Sequence, residues 1–324
     1  MFKSSATEFI VKFIPKFIFI VMLINSANLS AVEIKGYPLK KVASNTYVIH
    51  GPLEYPNKKN KGFMNNPGFV VTKTGVVVID PGSSVQVGRM VLKQIKTVTK
   101  KPVTHVLNTH IHGDHWLGNH AFADAYPKAV IMAHPDMIKR AKAGAAKQWV
   151  SLMSKSTEGA SDGTRAVIPG KIIDDKQVIK TGGVQFRIHA PKKAHSFTDI
   201  MIEVVEENVV FLGDNVLYKR LPRMDDGTFK GNTIACQLAI DLGAKTYVPG
   251  HGVSGDKNII VPFMNYLKIV YSEVGKNYEA GMTDFEMKPK VVSKLKAYSN
   301  WSGFHDEVGK HISLAVLEYE ADTF

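Results

Sequence analysis

The chain has 324 residues, 44% of them apolar and 22% charged, which is enough to bury a sizeable core and excludes a disordered chain. Its 41 Lys and Arg outnumber 29 Asp and Glu, giving a formal charge of +12, but no basic run interleaved with aromatics marks a nucleic-acid surface. The single cysteine excludes an internal disulfide.

The first segment reads as an export signal. Lys3, Lys12 and Lys16 accompany the unbroken apolar run Phe17–Ile24, which is too short to span a bilayer. Small and polar residues follow as far as Ala31, which suits cleavage before Val32. The expectation is a signal peptide over residues 1–31 and one domain over 32–324. The mature protein would be periplasmic or secreted, without stable membrane insertion. Removing three Lys and one Glu takes the formal charge from +12 to +10, a balance compatible with an anionic small-molecule substrate.

Thr46–Ile49 and Phe69–Thr72 have the composition of short strands, joined through the polar stretch Tyr55–Pro67, a loop and candidate flap. Gly75–Asp80 is an apolar strand that stops at Pro81-Gly82. Val85–Val98 has helical spacing, with Val87, Val91, Ile95 and Val98 on one face. Strands are predicted over Val103–Thr109 and Ala129–Ala133, and a helix over Asp136–Ser154. A surface insertion rich in Gly, Ser and Thr follows over Ser156–Gly170. Val184–His189, Ile200–Val205 and Asn208–Leu212 read as strands, Thr233–Leu242 as a helix and Thr246–Val248 as a strand. From about Val261 the pattern is helical. Alternating strands and helices point to a layered α/β fold. Cys236, inside a helical pattern, is expected to be a buried structural thiol.

The chemistry concentrates at the end of the Val103–Thr109 strand. His110, His112, Asp114 and His115 pack three imidazoles and a carboxylate into six positions, a donor set that zinc and iron accept. Alternate residues of an extended stretch share a face, so His110 and His112 can point together. Gly113 permits a bend that lets Asp114 and His115 aim at a second point. Three further strand-end loops each offer one donor: His195, Asp214 and His251.

The series HxHxDHxxG, a lone His, an Asp after an apolar strand and a GHG loop resembles the metallo-β-lactamase superfamily over almost all of residues 32–324. The resemblance implies an αββα four-layer sandwich with C-terminal helices. It assigns His110, His112 and His195 to one metal ion, Asp114, His115 and His251 to a second, and Asp214 to a bridge between them. The expected cofactors are two Zn2+, with iron or manganese as alternatives. Asp80 matches the superfamily's first motif and would fix a ligand loop by hydrogen bonds. A water between the ions would lose its proton near neutral pH and attack the substrate, with Asp114 orienting that water or receiving the proton.

β-Lactamases of the superfamily mostly carry Cys or Ser where this chain has Asp214. A bridging Asp resembles the glyoxalase II, lactonase and phosphodiesterase branches. The expectation is therefore hydrolysis of an ester, lactone, thioester or amide. β-Lactam hydrolysis and persulfide oxidation by a single iron are the alternatives. Arg220–Gly227 together with Tyr298–Phe304 resembles exported metallohydrolases associated with sulfur-oxidation and quinoprotein systems. Lys219, Arg220 and Arg223 are candidates to bind a substrate carboxylate. His120 and His134 are candidate supports for the ligand loop, and Trp116 either lines the pocket or packs in the core.

Overall fold

The computed structural model describes residues 1, 2, 34 and 36–323. Apart from its first two residues, the expected signal over 1–31 lies outside them. The Glu33–Phe324 unit contains two sheets. The first runs β1 (Leu39–Lys41), β2 (Thr46–Ile49), β3 (Gly68–Val71), β4 (Val76–Ile79), β5 (Val103–Leu107), β6 (Val130–Ala133) and β7 (Lys171–Ile172), in that spatial order. Its pairing is antiparallel from β1 to β4 and parallel from β4 to β7. The second contains β8 (Val178–Thr181), β9 (Val184–His189), β10 (Met201–Val204), β11 (Val209–Leu217) and β12 (Thr246–His251). There the order is β12-β11-β10-β9-β8, with only β11 and β12 parallel.

Period-two alternation makes the layers. Along β4, Val76 and Val78 face a core shared with α1 (Val85–Val98), while Val77 and Ile79 face the other sheet. Along β11, Val209 and Phe211 face the first sheet, while Val210 and Leu212 face the C-terminal helices. Because both faces of both strands are apolar, each sheet must be covered twice, and the result is helix, sheet, sheet, helix. On the outside of the first sheet lies α1, joined by α2 (Gly113–Trp116) and α3 (Asn119–Ala125) on the ligand loop. Helices α4 (Pro135–Arg140) and α5 (Ala146–Ser156) rise beyond β6. Outside the second sheet lie α6 (Phe229–Asp241), α7 (Ile260–Glu279), α8 (Asp284–Lys294) and α9 (Phe304–Thr323). Among the described residues, no helix is long and apolar enough to cross a membrane.

Three expectations change. The single helix predicted over Asp136–Ser154 is two helices joined by a π-helical turn, Ala141–Ala145, in which Gly144 has φ 120°. The Asn208–Leu212 strand continues to Leu217 with irregular register around Gly213, whose φ of 52° turns the chain at Asp214. The Tyr55–Pro67 stretch is pinned, because its asparagines satisfy backbone groups. Asn60 Oδ1 accepts from the N–H groups of Asn57 and Gly62, and Asn66 Nδ2 donates to the carbonyls of Pro249 and Gly252. The Ser156–Gly170 stretch is likewise anchored, with Thr157 and Ser161 buried and hydrogen-bonded to each other. Strands β1, β7 and β8 are additions to the sequence reading. Cys236 is buried, and burial pushes its thiol pKa up.

Candidate metal centre

Asp80, at the end of β4, adopts φ 50°, which turns the chain sharply into Pro81-Gly82. Its carboxylate accepts from the Thr109 N–H at 2.8 Å, the Thr109 hydroxyl at 2.6 Å and His115 Nδ1 at 2.7 Å. One buried side chain thus fixes both ends of the histidine loop and directs His115 Nε2 inward. Ile111 is held by a bond from its N–H to Thr198 Oγ1, which ties this loop to the one carrying His195.

All seven predicted donors meet, in two adjacent groups. His110, His112, His195 and Asp214 form the first, and Asp114, His115 and His251 the second; within each, the donor atoms lie within 4.8 Å of one another. Asp214 faces both groups, 3.1 Å from His115 Nε2, 3.4 Å from His251 Nε2, 3.5 Å from His195 Nε2 and 3.9 Å from His110 Nε2. A side chain at position 250 would collide with the Asp214 carboxylate, so the glycine before His251 leaves room for it. Gly252, with φ 93°, lets the chain turn back against Tyr218.

The outward atoms of these ligands are held by the protein. His251 Nδ1 lies 2.8 Å from the Met64 carbonyl, and His112 Nε2 lies 3.1 Å from Asp226 Oδ2. Most of the inward atoms are not satisfied. His110 Nε2, His115 Nε2, Asp114 Oδ2 and Asp214 Oδ1 are buried without a hydrogen-bond partner, and the inward nitrogens His112 Nδ1 and His195 Nε2 face each other at 2.9 Å. Native interiors rarely leave such atoms orphaned, and their convergence fits a divalent cation better than any packing role.

The electrostatics agree. Burial would lower the pKa of His115, but Asp214, Asp114 and Asp80 outweigh it and raise it well above the usual value. Burial would raise the Asp214 and Asp114 carboxyls, yet the neighbouring histidines hold both well below the ordinary range. This is a place that stabilises positive charge. His195, by contrast, is pushed by burial down to about 3, so it stays a neutral donor. Asp199, accepting from the Ser196 N–H and hydroxyl behind His195, is raised by burial to about 7.

A family model described as the metallo-beta-lactamase superfamily matches residues 60–251, which begins in the pinned loop and ends at the last ligand. The chain belongs to the metallo-beta-lactamase superfamily. This superfamily member is 26% identical over 199 residues to a probable metallo-hydrolase of Streptococcus pyogenes, covering 58% of this chain and 79% of that one. Its fold matches a metallo-beta-lactamase from Pontibacter korlensis with a TM-score of 0.56 and 22% identity, over 71% of this chain and 98% of that chain. It also matches a variant of a sec-alkyl sulfatase with a TM-score of 0.69 and 14% identity, over 87% of this chain and half of that chain. The chain is thus a metallo-hydrolase of this superfamily with a divalent-metal site.

The other predicted residues stand outside the donor set. Trp116 is fully buried and donates to the Ile111 carbonyl. His120 bonds to the Arg165 N–H and sits beside Asp124, and His134 caps α4; neither touches a ligand. Lys219 is exposed over the Tyr218 ring and does not line the cleft above the donors. Arg220 lines the cleft but is buried, spending its guanidinium on the Glu54 carbonyl and the Met64 sulfur. Arg223 does line the cleft, 5.4 Å over the Trp149 ring. Sequence reasoning missed Asp226, Trp149 and the Met64 carbonyl. Asp226 stands 114 residues from the ligand it orients, and no local pattern marks such a partner.

Proposed function

We propose that this chain is an exported di-zinc hydrolase that cleaves an ester, lactone, thioester or amide bond in a small, anionic substrate. The observation that carries it is the pair of buried donor clusters, with Asp214 of the first also facing the second. The all-nitrogen-and-oxygen donor set and its tight spacing support zinc. Two ions held there would supply Lewis acidity and a water acidic enough to deprotonate near neutral pH.

The remaining work falls to the chain. A cleft of about 360 Å³ lies over His112, Asp114, Asp214 and His251. Tyr55, Trp149, Leu152 and Leu221 line it and would exclude water around an apolar group of the substrate. Asp114 has one unsatisfied oxygen beside His251, at 3.2 Å, where it can hold or receive a proton. Arg223 and Lys310 at the rim make the approach cationic, although both share Asp225.

The test is elemental analysis and intact mass on one sample purified from its native cells without added metal, with Asp214→Ala alongside. About two zinc ions per chain, falling in the variant, and a chain beginning at Val32 support the proposal. One iron per chain overturns the di-zinc reading and directs assays to persulfide oxidation. An unprocessed chain overturns export.

A further inference from the structure

Trp149, Leu152 and Arg223 have a second side. They also line a separate pocket of about 450 Å³. The two pockets are therefore lobes of one depression, divided by the Arg223–Trp149 stack. The second lobe reaches the ligand loops directly. Ile111 lies between ligands His110 and His112, and Ser196 and Thr198 follow ligand His195.

The chemistry of this lobe differs from that of the first. Phe197 is 42% exposed, an unusual position for a phenyl ring, and two cations attend it. Arg140 lies 4.9 Å from its centroid and the Lys193 ammonium 5.3 Å. Among the described residues, Arg140 has no carboxylate within ion-pair distance, so its guanidinium is free to meet a ligand. The one carboxylate in the lobe, Asp226, is already directed at His112. The π-helical turn Ala141–Ala145 separates Arg140 from Trp149 along the chain, and both line this lobe. Irregular turns of this kind recur where helices build sites.

The geometry points to the second lobe as a subsite for an organic anion, an alkyl or aryl group ending in a carboxylate, with Arg140 as its anion contact and Phe197 and Trp149 as its apolar walls. The inference rests on the hydrolase reading of the adjacent clusters only in that the bound anion is part of the substrate. A planar guanidinium without a carboxylate partner, stacked on exposed aromatic surface, suits a carboxylate attached to a hydrophobic body.

Calorimetric titration of the metal-loaded protein with 4-phenylbutyrate and with its neutral analogue 4-phenylbutanamide tests this. Wild type binds the carboxylate about tenfold more tightly than the amide. Arg140→Met abolishes that difference without weakening the amide, and Arg140→Lys restores part of it. Arg140 is exposed, so these variants keep the fold. Equal binding of the two probes, no binding of either, or an unchanged preference in Arg140→Met overturns the subsite; in the last case the metal ions alone read the anion. Phenyl 4-phenylbutyrate assayed in parallel separates the two claims. Failure to hydrolyse it and a panel of lactones and thioesters counts against the hydrolase, while the titration still decides the subsite.

Discussion

His311 in the C-terminal helical layer and His110 in the metal centre are both fully buried, yet their surroundings differ in kind. His311 on α9 has both ring nitrogens occupied, by the Tyr266 hydroxyl at 2.7 Å and the Pro222 carbonyl at 3.0 Å. His110 has its Nδ1 beside Thr109 Oγ1 and its Nε2 facing Asp214 and the neighbouring imidazoles with no partner. Burial alone therefore does not distinguish a packed histidine from a ligand; the unsatisfied inward nitrogen does. The helical layer is closed by its own hydrogen bonds, whereas the strand-end loops are complete only with a cation.

If that contrast holds, the largest effect follows from removing Asp80, which holds the loop rather than the ion. Asp80→Ala leaves three buried donors unpaired and should cost about 3 kcal/mol or more in denaturant unfolding. It should also weaken metal at the His115 cluster by about 10- to 100-fold in competition with a chelator. Unchanged stability together with unchanged affinity would remove Asp80 from the account.

The helical side is tested by pH. Burial holds His311 down to about 4, against about 6.5 in the unfolded chain. Below about pH 6.5 the unfolded chain takes the proton first. The stabilising contribution is therefore full above that pH, is lost as pH falls, and is exhausted near pH 4. The loss approaches about 3 kcal/mol. Unfolding free energies measured from pH 7 to pH 4 should fall less steeply in His311→Gln than in wild type. Parallel curves would show that burial does not keep this histidine neutral.

The smallest effect is expected at Asp226, a half-buried support that water can partly replace. Asp226→Asn should weaken metal at the His112 cluster by about tenfold, with the His115 cluster unaffected. A loss as large as that in Asp80→Ala would erase the distinction between buried and exposed supports.

Much of this architecture could be read in the chain itself. Val76–Ile79 and Val209–Leu212 are apolar on both faces, and a strand of that kind must be buried between layers. The seven donors were legible because each sits next to a glycine, a turn or a strand end within a short motif. What escaped depends on distance or on backbone detail. A helical pattern runs unbroken through Asp136–Ser154, but Gly144 tolerates a φ of 120° that lets the helix change course. The asparagines of Tyr55–Pro67 suggested a flap, whereas their amides bind the backbone of the loop and of the His251 turn. Arg140 and Trp149 gain meaning only once that redirected helix stands over His112, 5.1 Å from the indole.

The C-terminal helix supplies Glu307 and Lys310 to the wall of the cleft, where the Tyr55 hydroxyl donates to Glu307 at 3.4 Å. Those two α9 residues lie beyond the 60–251 segment that carries the superfamily pattern and every metal donor. The wall of the cleft thus combines Trp149, Leu152 and Arg223 from within that segment with a helix from beyond it. A change confined to that helix would reshape the mouth of the cleft and leave every metal donor where it is.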